Sequence, residues 1–316
     1  MSSGQTASQL LTCFFLGGRH SAKMEVPFKK MYGLGNDFIV LDARKDPSIS
    51  KASEQARATR LTDRKYGIGC DQLIIMEKSD DAMCVMRIIN ADGSEVGACG
   101  NATRCIGALL FEESPAAACA TIRTQAGLLK CYKGPTPGTV CVDMGEPGLD
   151  WKQVPVSKEI DTLNCKDACE GPGLTDCACC SMGNPHATFF HPDCESVPLQ
   201  EIGSDLEHHT FFPERCNVSV VTVSKDKSKI RMRVWERGTG ITQACGTGAC
   251  GTGVNAVRRG YIGKEQNYTT EVVMDGGSLT IKYAPPGSGE EGEGHVFMTG
   301  GYDLAFTGMI PATLWG

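Results

Sequence analysis

The sequence predicts an α+β fold built from two similar units. Three observations support this prediction. Strand-like runs outnumber helical ones, each of two Ala-Cys-Gly turns precedes a helical pattern, and both turns belong to an internal repeat. The chain has 316 residues, which is long enough for two domains of ordinary size.

The strands are predicted by runs rich in β-branched residues and bounded by turn residues. These runs span residues 38–43, 72–77, 83–89, 139–144, 218–224, 229–236 and 278–283. In the run at 229–236, basic residues alternate with apolar ones, which is typical of a strand with one wet face.

Helical spacing of apolar residues predicts helices at 101–113 and 248–260, and the polar segment at 49–64 is a third helix candidate. The helix at 248–260 runs toward a stop at Gly260, with Arg258 and Arg259 in its final turn, where cations suit the helix dipole. The segment from about 160 to 180 is rich in Gly, Cys and Asp, and we expect it to be a loop.

The internal repeat aligns the two Ala-Cys-Gly turns. Cys99 falls on Cys245, 146 residues later, together with the alanine and glycine that flank each cysteine. At the same offset Asn90 falls on Glu236. An ordered series of matches indicates a duplicated unit, whose two copies can face each other across a cleft.

Composition excludes several classes of protein. A net charge of −6 without a basic patch argues against nucleic-acid binding, and no apolar run is long enough to span a bilayer. The 17 cysteines are odd in number within a long chain, so we expect a reducing, cytoplasmic compartment instead of a secreted disulfide scaffold. Residues 1–24 are typical of an extension, disordered or targeting, and an organelle is the alternative location.

Each turn places its first cysteine, Cys99 or Cys245, at the start of a predicted helix. The first N–H groups of a helix lack partners and its dipole is positive there, so we expect each thiol pKa to fall below about 8.5. Gly100 and Gly246 leave the same N–H groups open to a substrate carboxylate. Two such thiols around one carbon could take a proton from one face and return one to the other.

Packing and metal binding are the alternative roles for these cysteines. A cysteine in a glycine-rich turn commonly packs as a small hydrophobe, and we expect Cys105 and Cys250 to do so inside the two helices. The spacings in CGNATRC, CGTGAC and CACC (177–180) do not supply the close pairs of a zinc site, so we expect no metal. No nucleotide-binding or phosphate-binding motif is present, and we expect no cofactor.

Six motifs in order resemble the diaminopimelate epimerase family, over about residues 25–312. They are GLGNDF, GIGCDQ, NADGSEVGACGNATRC, SMGNPH, FPERCN and ERGTGITQACGTGAC. The resemblance implies a cofactor-independent isomerase that interconverts LL- and meso-diaminopimelate in lysine and peptidoglycan-precursor biosynthesis. It also implies two pseudo-symmetric α+β domains, each a sheet wrapped around a central helix, with the site between them.

The resemblance assigns roles to residues of this chain, motif by motif. Cys99 and Cys245 would be the acid/base thiols, supported by His186 and by Glu236, which would also bind the distal ammonium. The other substrate-binding residues would be Asn36, Gln72, Asn90, Asn184, Asn217 and Arg237, with Gly100, Asn101, Gly246 and Thr247 around the reacting carboxylate.

Simpler structural roles are open for several of these residues. Asn36 and Asn184 could be left-handed turn residues. His186 could be a core histidine and Arg237 a surface charge.

The predicted domains are residues 25–147 and 148–302, with a final strand at about 303–316 that packs back on the first domain. The expected partner is a small-molecule substrate, diaminopimelate, with no nucleic acid or membrane. The resemblance further implies a homodimer.

Two other functions compete with the epimerase. One is a proline-racemase-like isomerase, which shares the two thiols but needs no groups for a second amino-carboxylate. The other is a cysteine-rich metal or redox protein without catalytic activity.

Overall fold

The structure is a computed structural model that describes residues 25–166, 174 and 176–316. The predicted extension at 1–24 lies outside the described residues, as does part of the predicted loop at 160–180. Two short 3₁₀ turns, Cys194–Ser196 and Lys264–Gln266, and a longer one, Pro47–Ser53, accompany the helices and strands.

The first half of the chain carries eight strands and two helices among its described residues. In chain order these are β1 (Val26–Gly33), β2 (Asn36–Asp42), α1 (Gln55–Thr62), β3 (Gln72–Glu77), β4 (Cys84–Asn90), β5 (Glu95–Val96), α2 (Gly100–Glu113), β6 (Ala120–Thr124), β7 (Gly127–Lys133) and β8 (Thr139–Asp143).

The second half repeats this order and adds elements at its end. It contains β9 (Ala178–Ser181), β10 (Pro185–Phe190), α3 (Leu199–Glu207), β11 (Asn217–Val223), β12 (Lys229–Glu236), β13 (Gly240–Thr242), α4 (Gly246–Arg258), β14 (Thr269–Met274), β15 (Gly277–Tyr283), β16 (Val296–Gly301), β17 (Asp303–Ile310) and α5 (Ala312–Trp315).

The strand pairings repeat between the halves. In the first half β2 and β3 are parallel, β3 and β4 antiparallel, and β4 pairs with β5 and, in parallel, with β6. In the second half β10, β11, β12, β13 and β14 make the same pairings in the same order. The predicted duplication of an α+β unit is therefore confirmed at the level of the fold.

Each half wraps its sheet around one helix. Residues 101–111 of α2 and 248–256 of α4 are buried without interruption, as expected for helices enclosed on all sides. Glycine in α4 allows the close packing: a side chain on Gly253 would lie 2.5 Å from Ile281 Cγ2. Each such glycine costs about 1 kcal/mol of helix propensity, which the buried contacts offset.

Two strand pairings join the halves into one continuous sheet. Antiparallel pairing of β8 with β16 links the two units. The last strand, β17, pairs along the whole of β1, with Val26 opposite Ile310. Trp315 of α5 then packs near α1, where the Arg57 guanidinium lies 5.0 Å from its ring centroid.

Two of the predicted elements are wrong in detail. The single helix expected at 49–64 is a 3₁₀ turn followed by α1, because Glu54 between them has an extended ψ of 126° that interrupts helical hydrogen bonding. The loop expected at 160–180 ends in strand β9, which is held by antiparallel pairing with β10.

Strand β17 exposes three large apolar side chains. Leu304, Phe306 and Met309 are each about half exposed. The homodimer implied by the family resemblance stays a prediction.

None of the described helices is long and apolar enough to cross a membrane.

Candidate active site

In the first half, the predicted polar residues lie at one edge of the sheet. Asn36 begins β2, Gln72 begins β3 and Asn90 ends β4. Gln72 is directly opposite Asn90, and it pairs in parallel with Phe38, so all three strand ends meet at the same edge. The fold thus brings together residues that are 54 positions apart or fewer without any long loop.

The corresponding edge of the second half carries His186, Asn217 and Glu236. His186 pairs with Asn217, the first residue of β11. Val218 is opposite Trp235, so Asn217 and Glu236 lie at the ends of neighbouring strands. The repeat therefore places Glu236 where the first half has Asn90.

Both predicted cysteines lie at the start of a helix. Cys99 and Cys245 are the N-cap residues of α2 and α4, with extended backbones (φ −151° and −135°). The Cys245 thiol accepts the N–H of Gly248 at 3.3 Å. Its sulfur also lies 3.6 Å from Thr247 Oγ1. The helix-start position inferred from the glycine-rich turns is thus confirmed for both residues.

The two helix starts meet at one methionine. A Cβ atom built on Gly100 would lie 2.6 Å from Met298 Cε, and a Cβ atom built on Gly246 would lie 3.4 Å from Met298 Sδ. The same atom built on Gly246 would be 3.6 Å from Asn101 Oδ1. The starts of α2 and α4 therefore lie on either side of the Met298 side chain, and glycine at 100 and 246 leaves room for that side chain.

Burial raises the pKa of both thiols above the ordinary value. For Cys99, desolvation outweighs the N–H groups of Ala102 and Asn101, which act in the opposite direction. For Cys245, desolvation is again the largest cause, followed by the negative charge of Glu236. The prediction that the helix start lowers these pKa values is wrong, because removing a thiolate from water costs more than the helix N-terminus returns.

The charge of Glu236 acts on both thiols. Its carboxylate raises the pKa of Cys245 through its charge and a hydrogen-bonding contact, and it raises the pKa of Cys99 through its charge. Thr242 Oγ1 donates a hydrogen bond to Glu236 Oε1 at 2.5 Å, which fixes the carboxylate. Glu236 thus acts electrostatically on both candidate thiols, and it stays a candidate for binding the distal ammonium.

A chain of amides lines the first helix start. Asn101 Nδ2 donates to Asn36 Oδ1 at 2.7 Å, and Asn36 Nδ2 donates to Asp71 Oδ2 at 3.2 Å. Next to it, Gln72 Nε2 donates to Asn90 Oδ1 at 2.9 Å. The left-handed alternative for Asn36 is excluded, since its φ is not positive.

A second group of polar residues lines the start of α4. His186 Nε2 lies 2.9 Å from Asn184 Oδ1, and Asn184 Nδ2 lies 3.5 Å from Thr247 Oγ1. Asn184 also lacks a positive φ. Because Asn184 Oδ1 can only accept, Nε2 of His186 carries the proton in this arrangement.

His186 is completely buried, and only one of its ring nitrogens is paired. Nδ1 has no hydrogen-bond partner among the described residues. Burial, aided by the charge of Arg237, lowers the pKa of His186 to about 3. The imidazole is therefore neutral at neutral pH, and it can assist proton transfer only as a neutral hydrogen-bonding group.

The buried neutral imidazole predicts a specific loss of stability in acid. A folded-state pKa below the unfolded value near 6.5 stabilises the fold above pH 6.5, and this contribution is lost as pH falls toward 3. Relative to His186→Gln, the wild type should lose about 2 kcal/mol more unfolding free energy between pH 7 and pH 5, at about 1.4 kcal/mol per pH unit. Urea denaturation at both pH values measures this difference, and equal losses in the two proteins would contradict it.

Asn217 and Arg237 are brought together, but the Arg237 side chain is exposed. The Arg237 backbone N–H donates to Asn217 Oδ1 at 3.0 Å, and Asn217 Nδ2 donates to Pro185 O at 3.0 Å. The guanidinium donates to the Glu214 carbonyl at 3.0 Å. In this state it has the surroundings of a surface charge.

Arg104 is a candidate that the sequence patterns did not single out. It is a fully buried cation inside α2, and its Nη2 has no hydrogen-bond partner among the described residues. Its Nε donates to Gly301 O at 3.2 Å, and its charge lowers the pKa of Cys99. The available signal was a cation at a position of the helix otherwise occupied by apolar residues.

Cys105 on α2 and Cys250 on α4 pack in the hydrophobic core, as predicted. Their thiols are buried, and burial raises the pKa of each. They belong to the same hydrophobic cluster, which surrounds both helices. The second cysteine of each helix is thus one of its many core residues, while the first cysteine lies at the helix start beside Met298.

The sequence matches a known family along most of its length. The family model described as Diaminopimelate epimerase matches residues 28–149 and 178–304. A protein named diaminopimelate epimerase from Acidiphilium cryptum is 49% identical over 91% of this chain and 97% of its own. One of the same name from Rhodospirillum centenum is 48% identical over 91% of this chain and 93% of its own.

Solved structures with the same fold are more distant in sequence. A hydroxyproline epimerase from Agrobacterium vitis aligns with a TM-score of 0.60 at 13% identity, covering 90% of this chain and 91% of its own. A phenazine biosynthesis protein of the PhzF family from Bacillus anthracis gives 0.59 at 15% identity, covering 91% and 99%. These likenesses show a shared two-unit fold. By its family match and its relatives, this chain belongs to the diaminopimelate epimerase family.

Proposed function

We propose that this chain is a cofactor-independent epimerase that interconverts LL- and meso-2,6-diaminopimelate. The proposal rests chiefly on the two helix-capping cysteines, Cys99 and Cys245, whose helices begin around Met298. Glu236 interacts with both thiols, which supports their belonging to one site. The names of the relatives supply the substrate.

The reaction moves one proton off and another onto the same carbon. In one direction the thiolate of one cysteine removes the α-proton and becomes a thiol. The thiol of the other cysteine then gives its proton to the opposite face and becomes a thiolate. The configuration is inverted, the number of protons is unchanged, and the two sulfurs exchange roles for the next turnover.

The carbanion formed at the α-carbon needs electrostatic stabilisation, because the α-proton of an amino acid is weakly acidic. Negative charge spreads onto the α-carboxylate, which we place between the N-termini of α2 and α4. The first N–H groups and the positive dipole ends of these two helices would bind that charge. Gly100 and Gly246 place no side chain of their own beside these N–H groups.

The raised thiol pKa values imply that substrate binding helps form the thiolate. In the free protein both thiols are held in the neutral form by burial. The α-ammonium of bound substrate would add a positive charge beside the thiols. This charge would partly offset the negative charge of Glu236. The buried charge of Arg104 acts in the same direction on Cys99.

The remaining polar residues fit the second amino-carboxylate of diaminopimelate. We assign Asn36, Gln72 and Asn90 to one side of the substrate, with Asn184 and Asn217 on the other. Arg237 would turn its exposed guanidinium toward the distal carboxylate when substrate binds. We also propose residues 25–147 and 148–302 as the two domains, since the strand pairings repeat between them and each half then contributes one thiol.

Incubation with LL-diaminopimelate in D2O under a thiol reductant tests the function. We expect meso-diaminopimelate that carries deuterium at the inverted α-carbon. NMR measures the deuterium label, and chiral chromatography measures the isomer ratio. Proline, incubated in the same way, should be neither inverted nor labelled, because it has no second amino-carboxylate to bind. If diaminopimelate shows neither exchange nor inversion, the proposed function is wrong.

A further inference from the structure

Three buried cysteines outside the candidate active site converge on one point. The sulfur atoms of Cys165, Cys177 and Cys179 all lie within 4.8 Å of one another. The Cys177 and Cys179 sulfurs are 3.5 Å apart. All three residues are 0% exposed. In sequence, Cys177 and Cys179 lack a second close pair, and only the fold supplies Cys165.

The backbone holds these residues in place from two directions. Cys165 and Cys177 form an antiparallel bridge, in which the Cys165 N–H donates to Cys177 O at 2.8 Å. The Cys179 N–H donates to Thr162 O at 2.7 Å. The two segments that carry the thiols are therefore fixed before any ligand binds, which reduces the conformational entropy lost on binding.

The C-terminal end of α4 supplies positive charge to the cluster. Arg258 Nη1 donates to the Cys179 carbonyl at 2.8 Å, and its Nη2 donates to Thr162 Oγ1 at 2.9 Å. Its charge acts on Cys165, and the thiol of Cys216 interacts electrostatically with Cys179. One guanidinium thus lies beside the segments that carry the three converging thiols.

The separations suit a thiophilic metal ion. A zinc ion binds thiolate sulfur at about 2.3 Å in tetrahedral geometry, which places neighbouring sulfurs about 3.8 Å apart. One pair is already at 3.5 Å, and contraction by about an ångström would bring in the third. Ordinary packing does not require three sulfurs from two segments to point at one another.

We propose that Cys165, Cys177 and Cys179 bind one Zn²⁺ ion as thiolates, at a structural site near the end of α4. Three thiols each release a proton on binding, so the three thiolates and the ion carry one net negative charge. The Arg258 guanidinium lies where it offsets that charge. The ion would fasten the segment around Cys165 to β9 and so support the helix that carries Cys245 at its other end.

Metal content of the full-length protein tests this site. Protein produced in zinc-supplemented medium, and purified with a phosphine reductant and no chelator, should retain about one zinc ion per chain after dialysis. Mass spectrometry of the metal gives the stoichiometry. Replacing Cys177 and Cys179 together by Ser should remove the ion, whereas Cys180→Ala should keep it. Cys180 is the matched control. It follows Cys179 on β9, but its thiol contacts Gly251 O of α4 and packs in the hydrophobic cluster that surrounds α2 and α4.

The site must be separated from the thiols at the helix starts. The same measurement in a Cys99→Ala/Cys245→Ala protein should still give about one zinc ion per chain. That variant is expected to be inactive as an epimerase, so the metal site and the proposed function can fail independently. Cadmium titration of the metal-free form of this variant should produce a thiolate charge-transfer band that saturates at about one ion per chain.

Three outcomes would overturn the proposal. The first is a wild-type protein that holds no zinc and whose metal-free form gives no cadmium band. The second is a Cys177→Ser/Cys179→Ser variant that keeps its zinc. The third is an intact mass lower by two hydrogens, which maps to a disulfide within the cluster and would identify a redox pair instead. If the double variant fails to fold, the cadmium titration and the rise in Tm on adding zinc to metal-free protein still decide the question.

Discussion

Replacing either Cys99 or Cys245 by Ala is expected to lower kcat for epimerisation by at least about a thousandfold. Each turnover needs two proton transfers, and each transfer uses a different thiol. Neither step can be bypassed by the other sulfur, which lies on the wrong face of the carbon. Formation of meso- from LL-diaminopimelate, followed by chiral chromatography under reductant, measures the loss in both variants.

The second cysteine of each turn provides the matched control. Cys105 and Cys250 lie six and five residues after the proposed acid/base thiols, within the same helices, and both are buried in the core. Replacing either by Ala removes a small buried group, so kcat should stay within about threefold, with a modest fall in Tm. A variant at Cys99 or Cys245 that keeps near wild-type turnover would contradict the two-thiol assignment.

Glu236→Gln is expected to change two measurements in opposite directions. Its carboxylate raises the pKa of Cys245 and of Cys99, so the neutral amide should make alkylation of both thiols by iodoacetamide faster at a given pH below their pKa values. The same change removes an anion that can hold a substrate ammonium, so kcat/KM should fall about a hundredfold. A structural defect that opens the site would also accelerate alkylation of the buried Cys105 and Cys250, so the rates at these two residues should stay unchanged.

Peptide mapping by mass spectrometry assigns the alkylation rates to individual cysteines, since the chain contains 17 of them. Glu195→Gln is the control, because Glu195 is an exposed carboxylate that pairs with Arg231 far from either thiol in sequence. It should change neither rate. Unaltered alkylation of Cys245 in Glu236→Gln would show that the carboxylate does not control the thiol.

The sequence was a good guide to the elements and to the repeat. The strands at 72–77 and 229–236 match exactly, because their β-branched runs end at clear turn residues. The helices after Cys99 and Cys245 begin within two residues of the predicted starts. The helix predicted at 49–64 was less accurate, since nothing in its spacing reveals the extended backbone of Glu54.

Burial was the property that local patterns could not supply. Helix-start N–H groups do interact with Cys99 and Cys245, but burial raises the thiol pKa values by more than these groups lower them. That burial depends on residues such as Met298 and Met274, which arrive from other strands. The sequence did not single out Arg104 for the same reason. Its burial without a carboxylate partner depends on how the sheet packs around α2.

The sequence by itself therefore determined the duplicated unit, the positions of its two cysteine turns and the family of the chain. These are properties of order along the chain, and a fixed offset of 146 residues preserves them. Only the tertiary structure decided that both helix starts meet at Met298 and that the thiol pKa values rise. It also decided that Cys165 joins Cys177 and Cys179. Each of these depends on which distant segments pack together and exclude water, and spacing along one segment does not encode that.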